Sequence, residues 1–326
     1  MCICESRIWR CVAIGAIVAP LIGNASAQHF PVKPIRILCP VPPGGSVDSS
    51  ARLAAQKLTE AFGQSVVVEN VTGAAGAISI ERTIAAAPDG YTLVAFPASG
   101  AALPVIRNDL TFDIDRDLAP VTLLTVGPST MNVHPSLPVR NVAELIALAR
   151  AHPGKLSYGS GGYGNSLHFM GELFKVMAKV NMVHVPYKGG VASAVGNAIG
   201  EVDISFATLT IGRPMIAAGK LKALAITSIK RTSFNPSLPT LDESGLPGYE
   251  REGWTGLSTN VRVPKDIVMR LNAALVKGLN TPEAKEVLKA QDMEPATNAP
   301  EQFGAHIRRE IAENIKLVKL TGMKFN

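Results

Sequence analysis

The sequence predicts an α/β protein of two lobes, and three observations carry that expectation. Apolar segments of strand length alternate with segments of helical period from residue 35 onward. At 326 residues the chain is about twice the length of an average domain. No low-complexity linker divides it, so the two lobes are expected to be joined by crossing strands rather than strung as beads.

The first unit runs β-α-β-α-β. Ile35–Pro40 is a buried-strand pattern, Pro42-Pro43-Gly44-Gly45-Ser46 a turn, and Asp48–Phe62 a helix with apolar residues at 51, 54, 58 and 61 and Gly63 as its stop. Val66–Glu69 is a second strand. Ile78–Ala87 is a helix closed by Pro88-Asp89-Gly90, and Tyr91–Phe96 is a third strand. That order predicts a parallel sheet with helices on both faces.

The middle repeats the theme. Val121–Val126 reads as a strand, and Asn141 with Glu144 three residues on resembles a capping box opening the helix Val142–Ala151. Leu156-Ser157-Tyr158 is a strand, followed by a Gly-rich turn and a helix near 166–179. Met182–Val185, Asp203–Phe206 and Leu221–Ser228 read as strands, with a helix at Ser193–Ile199. Toward the end, 265–279, 282–290 and 300–320 read as helices. Pro264, Pro282 and Pro300 fall at or near their first turns, where a missing N–H costs little.

Residues 1–27 precede this pattern and have the form of a secretory signal. Arg7 and Arg10 supply positive charge, Cys11–Gly23 is apolar, and Ala25-Ser26-Ala27 is a small-x-small cleavage site before Gln28. The apolar run is too short to cross a hydrocarbon core of roughly 30 Å. No lipobox surrounds Cys11. Cleavage after Ala27 would remove Cys2, Cys4 and Cys11 and leave Cys39 alone, so no internal disulfide or Cys-based metal site is expected. No later apolar stretch reaches spanning length, so a soluble mature chain is expected.

Composition narrows the function. Lys+Arg number 32 against Asp+Glu 26, a net charge of +6, yet no run of five like charges occurs. With aromatics at only 5%, nucleic acid is not an expected partner. The mild basic excess suits steering of an anionic ligand. The six His residues include no H-x-x-x-H pair, and Asp113–Asp117 lacks the Gly and Glu that a calcium loop needs, so no metal is expected. No G-x-S-x-G elbow is present.

Two turns remain. Gly159-Ser160-Gly161-Gly162-Tyr163-Gly164 fits G-x-G-x-x-G between a strand and a helix. The acid expected about 20 residues later is missing, so a dinucleotide, or any other cofactor, is not expected. Its glycines still permit close backbone approach, and free N–H groups at the helix start attract an anion. Asn165 or Ser166 suits the cap. His168, on the first turn, either lines that site or packs. Pro42–Ser46 is a second turn of the same kind. It lacks Gly-Lys-Ser/Thr and is not a P-loop. If the lobes face each other, the two helix N-termini converge on one ligand without any catalytic side chain.

Taken in order, these pieces resemble the substrate-binding receptors of tripartite tricarboxylate transporters, the Bug receptors. The likeness spans residues 30–322. It rests on Pro42–Gly45 with Asp48 and Ala51-Arg52, on Val68-Glu69-Asn70, and on Ala87–Leu93. It continues through Gly159-Ser160 to Ser166 and His168, Gly171–Phe174, Val185–Gly189, Gly200–Asp203, Ala218–Ala225 and Glu243–Gly248. The resemblance implies a type II periplasmic-binding-protein fold, two α/β lobes with a ligand cleft between them. Lobe 1 would be residues 28–124 plus 228–326 and lobe 2 residues 125–227. It further implies a periplasmic, non-enzymatic receptor, a monomer, that holds a small organic carboxylate and presents it to membrane transporter subunits. Signalling to a membrane sensor kinase is the alternative. A hydrolase using Ser160 and a cleft His is a third reading.

The resemblance places ligand contacts at Pro43, Gly44, Gly45, Ser46 and Asp48 in one lobe. In the other it places them at Ser160, Gly161, Gly164, Asn165, Ser166 and His168. Tyr187, Lys188 and Gly189 would border the cleft, as would Ser99 and Ala207. Two departures bear on specificity. Val71–Gly76 stands where the family usually carries Arg-Pro-Gly-Ala-Gly-Gly, and Ala207-Thr208 stands where Asp-Asn is common.

Overall fold

A computed structural model describes residues 30–233, 235–323 and 325. The expected signal segment lies outside the described residues.

Three successive stretches of chain build the molecule. The first contains β1 (Ile35–Cys39), α1 (Ser46–Phe62), β2 (Val66–Asn70), α2 (Ala77–Ala85), β3 (Thr92–Pro97), the single turns α3 (Leu103–Ile106) and α4 (Ile114–Asp117), and β4 (Leu118–Gly127). The second contains β5 (Ser129–Val133), α5 (Val142–Ala151), β6 (Ser157–Ser160), α6 (Ser166–Ala178), β7 (Val183–Pro186), α7 (Gly190–Ala198), β8 (Ile204–Thr208), α8 (Leu209–Ala217) and β9 (Lys222–Ile226). The third returns with β10 (Gly253–Asn260), α9 (Lys265–Leu279), α10 (Pro282–Lys289), β11 (Glu294–Pro295) and α11 (Pro300–Thr321).

The first and third stretches share a six-stranded sheet in the order β11-β4-β10-β3-β1-β2, and the second forms a five-stranded sheet in the order β7-β6-β8-β5-β9. Each sheet is the floor of one α/β lobe. Neither is purely parallel, which corrects the expectation from the alternating pattern. β1 runs parallel to β2 and β3, and β6 to β7 and β8. β10 is antiparallel to both β3 and β4, and β5 to both β8 and β9. The antiparallel strands belong to the segments that carry the chain from one lobe to the other. They were hidden by composition. β5 is Ser-Thr-Met-Asn-Val and β10 carries two Thr, a Ser and an Asn, yet both are almost wholly buried. Polar residues there are buried because the strands are central and their backbone groups are paired.

Local signals work as the physical chemistry requires. Gly63 ends α1 in the left-handed conformation, its N–H returning to the Thr59 carbonyl. Asn141 and Asn165 cap α5 and α6 by accepting from the N–H of Glu144 and Leu167. α8 keeps Pro214 inside it, where the residue acts as a breaker signal in sequence but is carried by the surrounding turns.

Both faces of the larger sheet are covered. α1 and α9 bury Leu58, Leu271 and Leu275 against Ile35, Ile37 and Leu257, with Cys39 a buried free thiol in the same layer. On the other face Phe303 and Ile307 of α11 pack on Phe96 and Trp254. Each such side chain contributes about 1.5–3 kcal/mol. Phe303 lies so close over β10 that a Cβ at Gly256 would stand 2.0 Å from its ring. The second lobe has its own core around Tyr158, Phe174, Phe206 and Tyr249. α11 spans the two lobes, with Leu317 meeting Phe169 of α6.

Candidate functional site

The C-terminal ends of the parallel strands in the two sheets face each other across a cavity of about 230 Å³. The larger sheet contributes Ser46 and Val47, Ala98 and Ser99, Thr125, and Trp254 and Thr255. The smaller contributes Asn165, Ser166 and Leu167, Gly190, Thr208, Thr210 and Ile211. The N-termini of α1, α6, α7 and α8 therefore border one space. Each helix start carries about half a positive charge on N–H groups that lack intrahelical acceptors. Among the described lining residues no Lys or Arg is present, so the positive partial charge on this wall is that of the helix starts.

Asp48 fixes the first turn. Its buried carboxylate accepts from the Gly44 N–H at 3.0 Å, Arg52 Nε at 2.9 Å and Asn70 Nδ2 at 2.8 Å. Burial alone would raise its pKa, but the bonds from Arg52, Asn70 and Gly44 outweigh that and hold the carboxyl below its usual range. Gly44 sits at φ +94°, a conformation few other residues accept. Pro43, Gly44, Gly45 and Ser46 are exposed at the end of α1, and Ser46 lines the cavity. Asp48 is turned inward.

The second turn is held from beneath. Ser160 is fully buried, its Oγ 2.7 Å from His184 Nε2 and 3.1 Å from the Gly162 N–H. His168 Nδ1 accepts from the Gly164 N–H at 3.2 Å. The rings of His168 and His184 stack, and burial lowers their pKa values to about 3 and about 4 respectively. Both are neutral at pH 7. Gly161 is close-packed, since a Cβ there would stand 3.1 Å from the Asn165 amide and the Gly190 N. Asn165 and Ser166 reach the cavity wall, whereas Ser160, Gly161, Gly164 and His168 lie behind it. The Ser160–His184 contact has the reach of a nucleophile and base, and the Ser160 Oγ is fully buried behind the wall.

The third segment braces the second turn. The Tyr187 N–H donates to the Ser160 carbonyl, the Gly189 N–H to that of Gly161, and Tyr187 Oη to Glu201. Lys188 is exposed, and Gly190 rather than Tyr187, Lys188 or Gly189 touches the cavity. Ser99 lines it. Ala207 is fully buried in β8, and its neighbour Thr208 is the residue on the wall.

Sequence reasoning did not find Trp254, Thr255, Thr210, Ile211 or the turn Gln291-Asp292-Met293, all of which line the cavity. The last of these comes from the far end of the first lobe and closes on α8. Thr210 Oγ1 donates to the Gln291 carbonyl at 2.8 Å, and Arg213 forms an ion pair with Asp292. Trp254 also forms a wall of a second cavity of about 400 Å³ behind the cleft, shared with Glu252, His306 and Glu310. Burial raises the Glu310 carboxyl above its usual range against the opposing Arg251 charge, and the nearby Trp254 N–H makes no hydrogen bond of normal geometry. Among the described residues no cluster of His, Cys, Asp or Glu is arranged to hold a metal ion, and no helix is long and apolar enough to cross a membrane.

Two α/β lobes joined by crossing strands, with a cleft between them, define a periplasmic-binding-protein architecture. The chain belongs to the family described as the tripartite tricarboxylate transporter family receptor, which it matches over residues 50–323. It is 31% identical to the protein BugT of Bordetella pertussis over 322 residues, covering 98% of each chain. Among solved structures it is similar to Rpa4515 of R. palustris with adipate, at 32% identity and a TM-score of 0.79, covering 90% of this chain and 99% of that one. It is also similar to MatC of Rhodopseudomonas palustris with bound malate, at 28% identity and a TM-score of 0.76, covering 89% and 100%.

Proposed function

We propose that this protein is a periplasmic receptor that captures a small organic carboxylate between its lobes and delivers it to a tripartite tricarboxylate-type membrane transporter. The observation that carries the reading is the convergence of the N-termini of α1, α6, α7 and α8 on one cavity without a lysine or arginine among the described lining residues. Backbone N–H groups at the helix starts that reach the wall, at Ser46 and Val47 of α1 and Ser166 of α6, hold the carboxylate. Asp48 beneath the first turn, and His168 and His184 beneath the second, keep those turns in shape. The adipate and malate carried by two solved relatives support a carboxylate as the ligand. The burial of Ser160 behind the cleft wall supports a binding role over that of a hydrolase using this residue.

A thermal-shift screen of small acids and their amides, on protein refolded to remove carried ligand, tests this. A ligand at a hundred times its Kd stabilises by about 2.7 kcal/mol, which a melt resolves. Stabilisation by an acid and not by its amide is the expected result. Stabilisation by amides alone would overturn it.

A further inference from the structure

Asp292 is the one charged side chain among the described residues that line the cleft. It is 4% exposed and stands in a turn with φ +56°. A bare carboxylate at that place would repel an anion and would offer a ready partner to an ammonium group. It is not bare. Arg213, from α8 of the opposite lobe, forms an ion pair with it while remaining half exposed to solvent itself. The pair crosses between the lobes, so the partner that neutralises Asp292 is supplied by the lobe that closes over the ligand. Thr210, one turn earlier on α8, bonds the carbonyl of Gln291, the residue before Asp292, and holds the two elements in register.

We propose that the Arg213–Asp292 pair sets the ligand class of the cleft, occupying its one carboxylate and so selecting organic acids that carry no ammonium group. The inference rests on the carboxylate-receptor reading and deepens it. An α-amino acid brought into the closed cleft finds, among the described lining residues, no unpaired carboxylate for its ammonium. Its desolvation is then compensated only by neutral acceptors.

Titration calorimetry on the refolded chain, using acids matched in skeleton, tests the idea: succinate against aspartate, and adipate against 2-aminoadipate. The wild type is expected to prefer the plain acid by roughly tenfold or more, the scale on which a polar group buried without its charged partner acts. Arg213→Ala should weaken the plain acid and narrow or reverse that preference. Asp292→Asn, which tolerates the same left-handed backbone, should restore plain-acid binding when combined with Arg213→Ala. An amino acid bound by the wild type as tightly as the plain acid would overturn the inference. So would a double variant that stays weak while Asp292→Asn alone loses as much as Arg213→Ala, because the pair would then act only as a clasp between the lobes. If the wild type binds neither acids nor amino acids, the receptor reading itself fails, and that is seen before any variant is made.

Discussion

His168 and His184 stack with ring centroids 3.9 Å apart and planes within 14°, and each hydrogen-bonds to the Gly-rich turn above it. Two imidazoles so close cannot both be charged, and burial already disfavours the charged form of each. The stack therefore makes the turn sensitive to acid. Unfolded histidine titrates near 6.5, while these two titrate at about 3 and about 4 in the fold. Between those limits the unfolded chain binds more protons, so stability should fall as pH is lowered from about 6.5 toward 4. Urea unfolding across that range measures it. His184→Gln, which can still bond Ser160, should flatten the slope; an unchanged slope would show that other groups set it.

Glu252 works in the opposite sense. Burial, with Glu250 and Glu294 nearby, pushes its carboxyl up to about 7. The folded state then holds a proton that the unfolded state releases near 4.5. Stability should decline as pH rises from about 4.5 through 7. Glu252→Gln keeps the shape of the neutral acid and should raise the melting temperature at pH 8 while changing it little at pH 5. Equal shifts at both values would place the effect in packing rather than in the proton.

The turn before α2 bears on how substitutions are tolerated. Ala74 and Ala75 adopt φ values of +49° and +57°, where an L-residue with a Cβ is strained. Both are exposed. Ala75→Gly should relieve that strain, partly offset by the greater freedom of Gly in the unfolded chain, for a net gain of roughly 0.5–1 kcal/mol. Thermal melts of the two proteins side by side decide it. A loss of stability would show that contacts of the Ala75 methyl outweigh the backbone term.

What sequence could show about this fold follows from what each element depends on. Helices α1, α5 and α6 are legible because their caps and stops are local: Gly63, Asn141 and Asn165 act within one turn of their own chain. The strands β5 and β10 are not, because their place in the sheets depends on partners distant in sequence, as when Thr130 bonds the Ala207 carbonyl and Thr259 that of Thr92. α8 is masked by Pro214. The same division runs through the cleft. The glycines of the two turns are local signatures, and the helix starts they precede border the cavity. Gln291-Asp292-Met293 carries no motif, and its place opposite Arg213 exists only once β11 and α8 are packed. Asp48 and His168 stood in the right segments, but only the structure shows that they support the turns from behind.

Asp48 itself gives the sharpest test of that support. Its carboxylate holds Gly44, Arg52 and Asn70 together, joining the turn after β1 to α1 and to the end of β2. Asp48→Ala would leave three donors without their acceptor in a site where the side chain is only 2% exposed. The expected cost is about 2–4 kcal/mol. Because its folded pKa is lowered, its contribution is present at neutral pH and is lost as pH falls below the ordinary carboxylate range. Ligand affinity should fall too, since Gly44 is no longer pinned at the start of α1, although Asp48 does not line the cavity. Asp48→Asn retains one acceptor and should lie between. If Asp48→Ala lost stability but bound a carboxylate as the wild type does, the turn would owe its shape to Gly44 and Gly45 alone, and Asp48 would be a structural tie with no part in the site.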